Sequence, residues 1–188
     1  MSMLVECVPN FSEGRDAAVI RGITAEIEAV RDVTLLDVDP GEDTNRTVIT
    51  FVGPPEAVVE AAFRAGKRAA ETIDMTQHYG SHARMGAMDV CPFVPVAGVT
   101  MADCVALAGE CGRRIGDLGI PVYLYEHAAT SPSRRNLAAV RADEAQADLF
   151  ELHLDDDVDR RLFKVGVFAQ GQRDVVEDAH RVEERAGL

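Results

Sequence analysis

The chain has 188 residues, of which 47% are hydrophobic and 27% are charged, and its formal net charge is -13. This length and apolar fraction predict a globular domain with a sizeable core, and no run approaches the roughly 20 apolar residues that span a bilayer. The negative charge argues against nucleic acid or an anionic membrane as a partner, because both need clustered positive charge.

The first part of the chain predicts strands and helices in alternation. In order we predict a strand, a helix, two strands and a second helix, over residues 4–8, 17–30, 33–38, 47–52 and 56–73. Between the first strand and helix, the Pro, Asn, Ser and Gly of residues 9–14 predict a turn. The loop over residues 39–46 is too short for a parallel crossover, so its two flanking strands are expected to form an antiparallel hairpin.

The second part predicts a strand over residues 90–96, a helix over 101–118 and a short strand over 122–125. Thr100 is the expected N-cap of that helix, with Asp103 in a capping-box position. Beyond these elements we predict a polar helical stretch, an acidic connector, a strand and a charged helix, over residues 131–147, 152–157, 162–168 and 172–186. The element order is typical of ferredoxin-like units and predicts an α+β fold, with a mixed β-sheet and helices packed on one face.

The N-terminal residues have no basic region and no long apolar core, so no signal peptide is expected and the predicted location is cytoplasmic. The four cysteines, Cys7, Cys91, Cys104 and Cys111, lack the paired spacing of a zinc site. In the cytoplasm, cysteines are expected to be reduced and mostly buried rather than joined in disulfides.

One loop, residues 78–89 with the sequence HYGSHARMGAMD, carries two imidazoles, a guanidinium and a carboxylate. Gly80 and Gly86 break any helix there, so these groups are expected on an ordered loop that leads into a buried strand. Loops held by a rigid scaffold are where chemistry is usually found. The alternative interpretation is a polar connector with incidental histidines.

A metal site is a second interpretation of this loop, with His78, His82 and Asp89 as two histidines and one carboxylate. Histidines at this spacing share a face only on a helix, and Gly80 lies between them. We therefore expect no metal.

A longer series of motifs runs through the chain in one order. It comprises VECVPNFSEG (5–14), LLDVD (35–39), NRTV (45–48), TFVG (50–53), IDM (73–75), the histidine loop, DVCPF (89–93), PVYLY (121–125) and RRNL (134–137). The series resembles the N-terminal subdomain of the glutamate formimidoyltransferase (formiminotransferase) family, almost without gaps up to residue 142. By this resemblance, residues 1–150 are a formiminotransferase N-terminal subdomain-like unit, and residues 151–188 are a divergent acidic connector plus a strand–helix tail.

The resemblance implies a homodimeric transferase of one-carbon metabolism. Family members move a formimino group from N-formimino-L-glutamate to N5 of tetrahydrofolate, the co-substrate, in histidine degradation. The family's catalytic histidine falls on His82. An imidazole suits the implied role of general base and then acid, since one proton must leave N5 and one must reach the departing glutamate amine.

Eight further positions are candidates for substrate binding: Glu6, Asn10, Asp39, Arg46, His78, Arg84, Asp89 and Glu126. Arg46 and Arg84 have two interpretations, as clamps for a substrate carboxylate or as surface arginines. Asp89 either fixes the tautomer of His82 or caps the turn before its strand.

The remaining candidates have similar alternatives. Glu6 and Asn10 either hydrogen-bond substrate or belong to the chemistry of the turn. His78 orients His82, contacts substrate or caps the loop. Asp39 and Glu126 are weaker candidates of the same kind.

Two departures from the family pattern bear on function. Ala83 stands where family members usually have proline, and the tail from Asp143 does not resemble the family's linker to its second subdomain. The alternative function is therefore a non-catalytic or half-site binding module of the same fold, which needs a partner chain supplying the second subdomain.

Overall fold

Six strands form one sheet, with three helices packed against one of its faces, in the part of the chain that the computed structural model describes, residues 3–81 and 86–137. The strands are Leu4–Cys7 (β1), Asn10–Phe11 (β2), Thr34–Gly41 (β3), Arg46–Gly53 (β4), Met88–Val90 (β5) and Phe93–Ala97 (β6). The helices are Ala17–Glu28 (α1), Pro55–Thr72 (α2) and Met101–Gly116 (α3). Short 3₁₀ helices lie at Met75–Gln77, Glu126–Ala128 and Pro132–Arg135.

The sheet has four rows, and two of them are interrupted. β3 is the first row and pairs with β4, the second. β1 and β2 form the third row, and both pair with β4. β6 and β5 form the fourth row, in which β6 pairs with β1 and β5 pairs with β2. Each interruption falls at a proline, Pro9 or Pro92, which has no N–H to donate to a ladder. Hydrogen bonds from Val8 N to the Pro92 carbonyl (3.2 Å) and from Ile49 N to the Pro9 carbonyl (3.0 Å) keep the rows joined there.

The predicted α+β fold with helices on the sheet is confirmed, but the sheet is antiparallel where the sequence predicted a mixed one. Every pairing given for these strands is antiparallel. The reason is the strand order, because β1 and β3 are joined through α1 yet lie on either side of β4. No two strands that run in the same direction are neighbours among these pairs.

The helix starts follow from local capping. The Asp16 carboxylate accepts the first N–H groups of α1, and α2 begins at Pro55, where a missing N–H costs least. Thr100 and Asp103 form the predicted capping box, with Thr100 N donating to Asp103 Oδ2 (2.8 Å) and Asp103 N donating to Thr100 Oγ1 (3.2 Å). Within the described ranges, no helix has both the length and the apolar character needed to cross a membrane.

The core lies between the sheet and the helices. Val5, Cys7, Phe51 and Phe93 are fully buried in one cluster with the inner faces of the helices. Because strand side chains alternate between faces, the residues between them point to the opposite side of the sheet. We call that side the outer face; it carries Glu6 of β1, as well as Asn10, Val48 and Val90 on the neighbouring strands.

All four cysteines are free and buried, as predicted. Cys7 Sγ lies 3.6 Å from Cys91 Sγ, and Cys91 also shares a hydrogen bond with Cys111. Burial raises the pKa of the Cys7 thiol, and burial together with the nearby Asp103 charge raises the pKa of Cys104 to about 11. These thiols are therefore protonated and weakly nucleophilic at neutral pH.

Three predicted boundaries change in the structure. The predicted turn over residues 9–14 contains β2, and the predicted strand over 90–96 is divided into β5 and β6 at Pro92. The antiparallel hairpin is confirmed, but its loop shrinks because Asp39, Pro40 and Gly41 pair with β4 and extend β3. The turn ends at Asn45, whose φ of 49° is left-handed.

The predicted strand over residues 122–125 is wrong, since the structure gives this segment no ladder with the described strands. Its side chains nevertheless alternate. Val122 and Leu124 pack beside Gly112 of α3, and Tyr125 packs with Val90 of β5. The alternation that predicts a strand thus reflects packing on two sides of an extended segment. The elements predicted beyond residue 137 lie outside the described residues, and Pro132–Arg135 is 3₁₀ rather than α-helical.

Candidate active site

Two of the predicted substrate-binding residues share one row on the outer face. The strand register places Asn10 opposite Val48 on one side and Val90 on the other. It also places Asp39 opposite Val48. Because paired residues of antiparallel strands lie on the same face, the row reads Asp39, Val48, Asn10, Val90. Two strand spacings separate the carboxylate from the carboxamide, about 10 Å.

Glu6 lies further along the same face, in the interrupted row that also holds Asn10. It is opposite Val52 and Val94, and it is only 6% exposed. A carboxylate among buried valines is costly to place unless polar groups meet it. Its burial therefore favours a binding or structural role for Glu6 over simple turn chemistry.

Arg46 and Asp89 form an ion pair at the end of the sheet where β4 and β5 begin. Arg46 Nη2 lies 3.4 Å from Asp89 Oδ2, the Asp89 side chain is fully buried, and the Arg46 side chain is 17% exposed. Asp89 belongs to the irregular stretch where β5 pairs with β2. Arg46 is therefore not a surface arginine.

We expect Arg46→Ala to lower the free energy of unfolding by about 2 kcal/mol, because it removes a cation from a buried carboxylate. The separation of 3.4 Å is longer than a strong charged hydrogen bond, which keeps the expected loss near the lower end for such pairs. Urea unfolding measures it.

Arg113→Ala is the matched control. Arg113 pairs with Glu110 and Asp117, but its side chain is 60% exposed and solvent screens both pairs, so a much smaller loss than in Arg46→Ala is expected. Equal losses in the two variants would contradict a buried pair at Arg46.

The histidine loop is anchored to the β3–β4 turn on its N-terminal side. His78 Nε2 donates to the Asn45 carbonyl oxygen (3.1 Å), since a carbonyl can only accept. Asn45 Nδ2 donates to the Tyr79 carbonyl oxygen (3.0 Å). The N–H and Oγ of Ser81 both donate to the Asp43 carbonyl oxygen, each at 3.2 Å. Residues 78–81 are thus fixed along the hairpin.

The loop is anchored again where it enters β5. Ser12, just after β2, is 1% exposed; its Oγ donates to the Gly86 carbonyl oxygen (2.6 Å) and its N–H to the Ala87 carbonyl oxygen (2.8 Å). His82 and Arg84 fall between the two anchors in sequence and lie outside the described residues. Their predicted roles stay predictions.

Glu126 opens the last part of the described chain. It starts the 3₁₀ helix Glu126–Ala128 with a left-handed φ of 51° and is partly exposed. Its neighbour Tyr125 is buried against Val90, at the end of the outer-face row.

A metal centre finds no support among residues 3–81 and 86–137, where no group of three His, Cys, Asp or Glu is placed to hold an ion. The metal alternative includes His82, which lies outside these ranges. The expected absence of metal therefore stays a prediction.

The sequence analysis missed Asn45 and Ser12. Asn tolerates left-handed backbone better than most residues, so a turn role for Asn45 had a local signal. Its hydrogen-bond partners had no such signal, because Gly14 and Tyr79 lie 31 and 34 residues away in the chain. Ser12 bonds a residue 74 positions away and had no signal beyond the turn composition.

Comparison with known proteins extends these observations along the chain. The family model described as "Formiminotransferase domain, N-terminal subdomain" matches residues 4–180. Over 148 residues the chain is 55% identical to the formimidoyltransferase-cyclodeaminase of Mus musculus. This matched stretch covers 78% of this chain and 27% of that protein.

Two microbial relatives are shorter. The glutamate formimidoyltransferase of Streptococcus pyogenes serotype M1 is 51% identical over 142 residues, 75% of this chain and 48% of that protein. The Thermoplasma acidophilum enzyme of the same name is 53% identical over 139 residues, 73% of this chain and 46% of that protein. The chain thus spans between a quarter and a half of the length of these relatives.

Proposed function

This chain belongs to the formiminotransferase family, in which it matches the N-terminal subdomain, and we propose that it takes part in formimino transfer from N-formimino-L-glutamate to N5 of tetrahydrofolate. The observation that supports this most is the family match over residues 4–180. The anchoring of the histidine loop to the β3–β4 turn and to Ser12 is consistent with it. The reaction places the chain in one-carbon metabolism and histidine degradation.

We assign the proton transfers to His82. In the transfer, a bond forms between N5 and the formimino carbon, and the bond from that carbon to the glutamate nitrogen breaks. His82 takes the proton from N5 and returns one to the departing amine, a double role that an imidazole performs well near neutral pH. Support comes from the two anchors, since Ser81 and Gly86 on either side of this segment are hydrogen-bonded to the sheet.

The outer-face row fits the pterin ring of tetrahydrofolate in its chemistry. Asp39 and Asn10 offer oxygen acceptors to the ring's N–H groups, and Val48 between them offers apolar surface to its flat face. Glu6, buried further along the same face, supplies a further acceptor for a cationic or N–H-bearing group.

The other candidates are assigned to polar ends of the substrates. Arg84 contacts a carboxylate, for which guanidinium geometry is well suited. Arg46, which is paired with Asp89, adds a guanidinium at the end of the sheet where β4 and β5 begin. His78 positions the histidine loop. Glu126 supplies a carboxylate next to Tyr125, which lies at the end of the outer-face row.

The proposal includes a cytoplasmic homodimer, without metal, nucleic acid or membrane as partner. A second candidate keeps the same fold and site but assigns turnover to this chain only when a separate chain supplies the second subdomain. Residues 1–150 and 151–188 stay a proposed division, and the family match runs across it.

Turnover of the purified chain tests both candidates. We expect a one-carbon folate product when the chain is mixed with N-formimino-L-glutamate and tetrahydrofolate, and none when either is omitted. Product that appears only after the C-terminal half of the Streptococcus pyogenes relative is added would establish the half-site module. A folded chain that yields no product in either mixture would overturn formimino transfer.

A further inference from the structure

We propose that Asn45 is a positioning residue for the proposed reaction, which fixes residues 78–81 of the histidine loop to the β3–β4 turn. The inference deepens the proposed function and rests on it only where the base is concerned. Asn45 lies in the β3–β4 turn, 33 residues before His78 in the chain.

Asn45 bonds two segments that are distant in sequence from its own turn and from each other. Its Oδ1 accepts from Gly14 N (2.9 Å), after β2, and its Nδ2 donates to the Tyr79 carbonyl oxygen (3.0 Å). Its own carbonyl oxygen accepts from His78 Nε2 (3.1 Å). The side chain and backbone of one residue thus join the end of β2, the hairpin turn and the loop.

Burial and backbone shape make these bonds demanding. Asn45 is 7% exposed, so each of its polar atoms needs a partner inside the protein. Its φ of 49° directs the carbonyl group in a way that most side chains resist, and asparagine is among the few residues that tolerate this conformation. The choice of asparagine here therefore meets both the backbone and the hydrogen-bonding requirement.

The bond to His78 also sets a tautomer. Because the Asn45 carbonyl oxygen can only accept, the His78 hydrogen lies on Nε2, and Nδ1 is the acceptor of the neutral ring. Three residues further on, Ser81 bonds the carbonyl of Asp43 in the same turn. The proposed base, His82, is the next residue in the chain.

Asn45→Gly is the main test variant, because glycine keeps the left-handed backbone and removes only the carboxamide. Asn45→Asp is the second variant; it keeps the acceptor for Gly14 N and loses the donor to Tyr79. Thr44→Val is the matched control, since Thr44 Oγ1 bonds only within the hairpin, to the Gly41 carbonyl oxygen (3.1 Å). Thermal unfolding verifies that each variant is folded.

Two readouts are independent of turnover. We expect Asn45→Gly to speed amide hydrogen exchange at Ser81 about tenfold, the equivalent of one or two neutral hydrogen bonds, and Thr44→Val to leave it unchanged. The second readout is the amide of Gly14, which donates to Asn45 Oδ1 and is expected to exchange faster in Asn45→Gly and to stay protected in Asn45→Asp. At Ser81, Asn45→Asp is expected to fall between the wild type and Asn45→Gly. Unchanged Ser81 exchange in Asn45→Gly would overturn the proposal.

Kinetics then separate positioning from binding. We expect Asn45→Gly to lower kcat about tenfold, because the loop that carries the proposed base is held less firmly, with at most a few-fold rise in KM from Arg84 of the same loop. Raised KM values with an unchanged kcat would overturn the link to the base. If the wild type shows no turnover, the proposed function fails, and the two exchange readouts still decide whether Asn45 positions the loop.

Discussion

Replacing His82 with alanine is expected to lower the rate of formimino transfer about 10²- to 10⁴-fold, the usual contribution of a positioned general acid–base. The variant keeps the substrate-binding groups of the outer face, so KM for both substrates is expected to change little. Initial rates of one-carbon folate formation measure the loss.

His127→Ala is the control for this experiment. His127 is an exposed histidine in the 3₁₀ helix Glu126–Ala128, so its removal is expected to leave the rate unchanged. A His82→Ala rate within a few-fold of the wild type, in a folded protein, would transfer the proton chemistry to another group. His78 would then be the next histidine to test.

Gly14→Ala is expected to lower the free energy of unfolding by about 3 kcal/mol, at the upper end of the cost of overpacking. A Cβ at this position would lie 2.6 Å from Arg46 N and even closer to the Gly41 carbonyl oxygen. Both are backbone atoms of the first pair of the β3–β4 hairpin, so neither can turn aside as a side chain can. The hairpin must shift, and the bond from Gly14 N to Asn45 Oδ1 shifts with it.

The same substitution in α3 provides the comparison. Among the described residues, no atom outside the helix's own backbone lies within 4 Å of a Cβ added at Gly109, and alanine favours helix over glycine. Gly109→Ala is therefore expected to be neutral or to stabilise by up to about 1 kcal/mol. Urea unfolding of both variants decides the matter, and a Gly14→Ala protein as stable as the wild type would refute the close backbone approach.

The elements that the sequence predicted best are those with local causes. All three helices were placed to within two residues at each end, because caps such as Thr100 with Asp103 and apolar spacing are properties of neighbouring residues. The strand over residues 122–125 failed for the opposite reason. The alternation arises because Val122 and Tyr125 pack on opposite sides of the segment. A ladder needs a partner strand that is distant in the chain, and no local pattern identifies that strand.

The candidate site shows the same division. Glu6, Asn10 and Asp39 were chosen because polar residues at strand ends stand out in sequence, yet their common face follows only from the register of β1, β2 and β3 with β4. The pairing of Arg46 with Asp89 joins two candidates whose partners were unknown. Register and ion pairing depend on contacts between segments that are distant in the chain, which is why they appear only in the folded structure.

The rate at which the buried cysteines are alkylated measures how often the folded protein opens. Only a thiolate reacts with an alkylating reagent, and in the folded protein the thiols of Cys7 and Cys104 are both inaccessible and held protonated by burial. Labelling must therefore wait for a fluctuation that exposes them. Cys7 and Cys91 report on the interrupted rows of the sheet, while Cys104 and Cys111 report on α3. The relative labelling rates of these groups record whether the helix leaves the sheet before the strands separate, in a protein without any attached label.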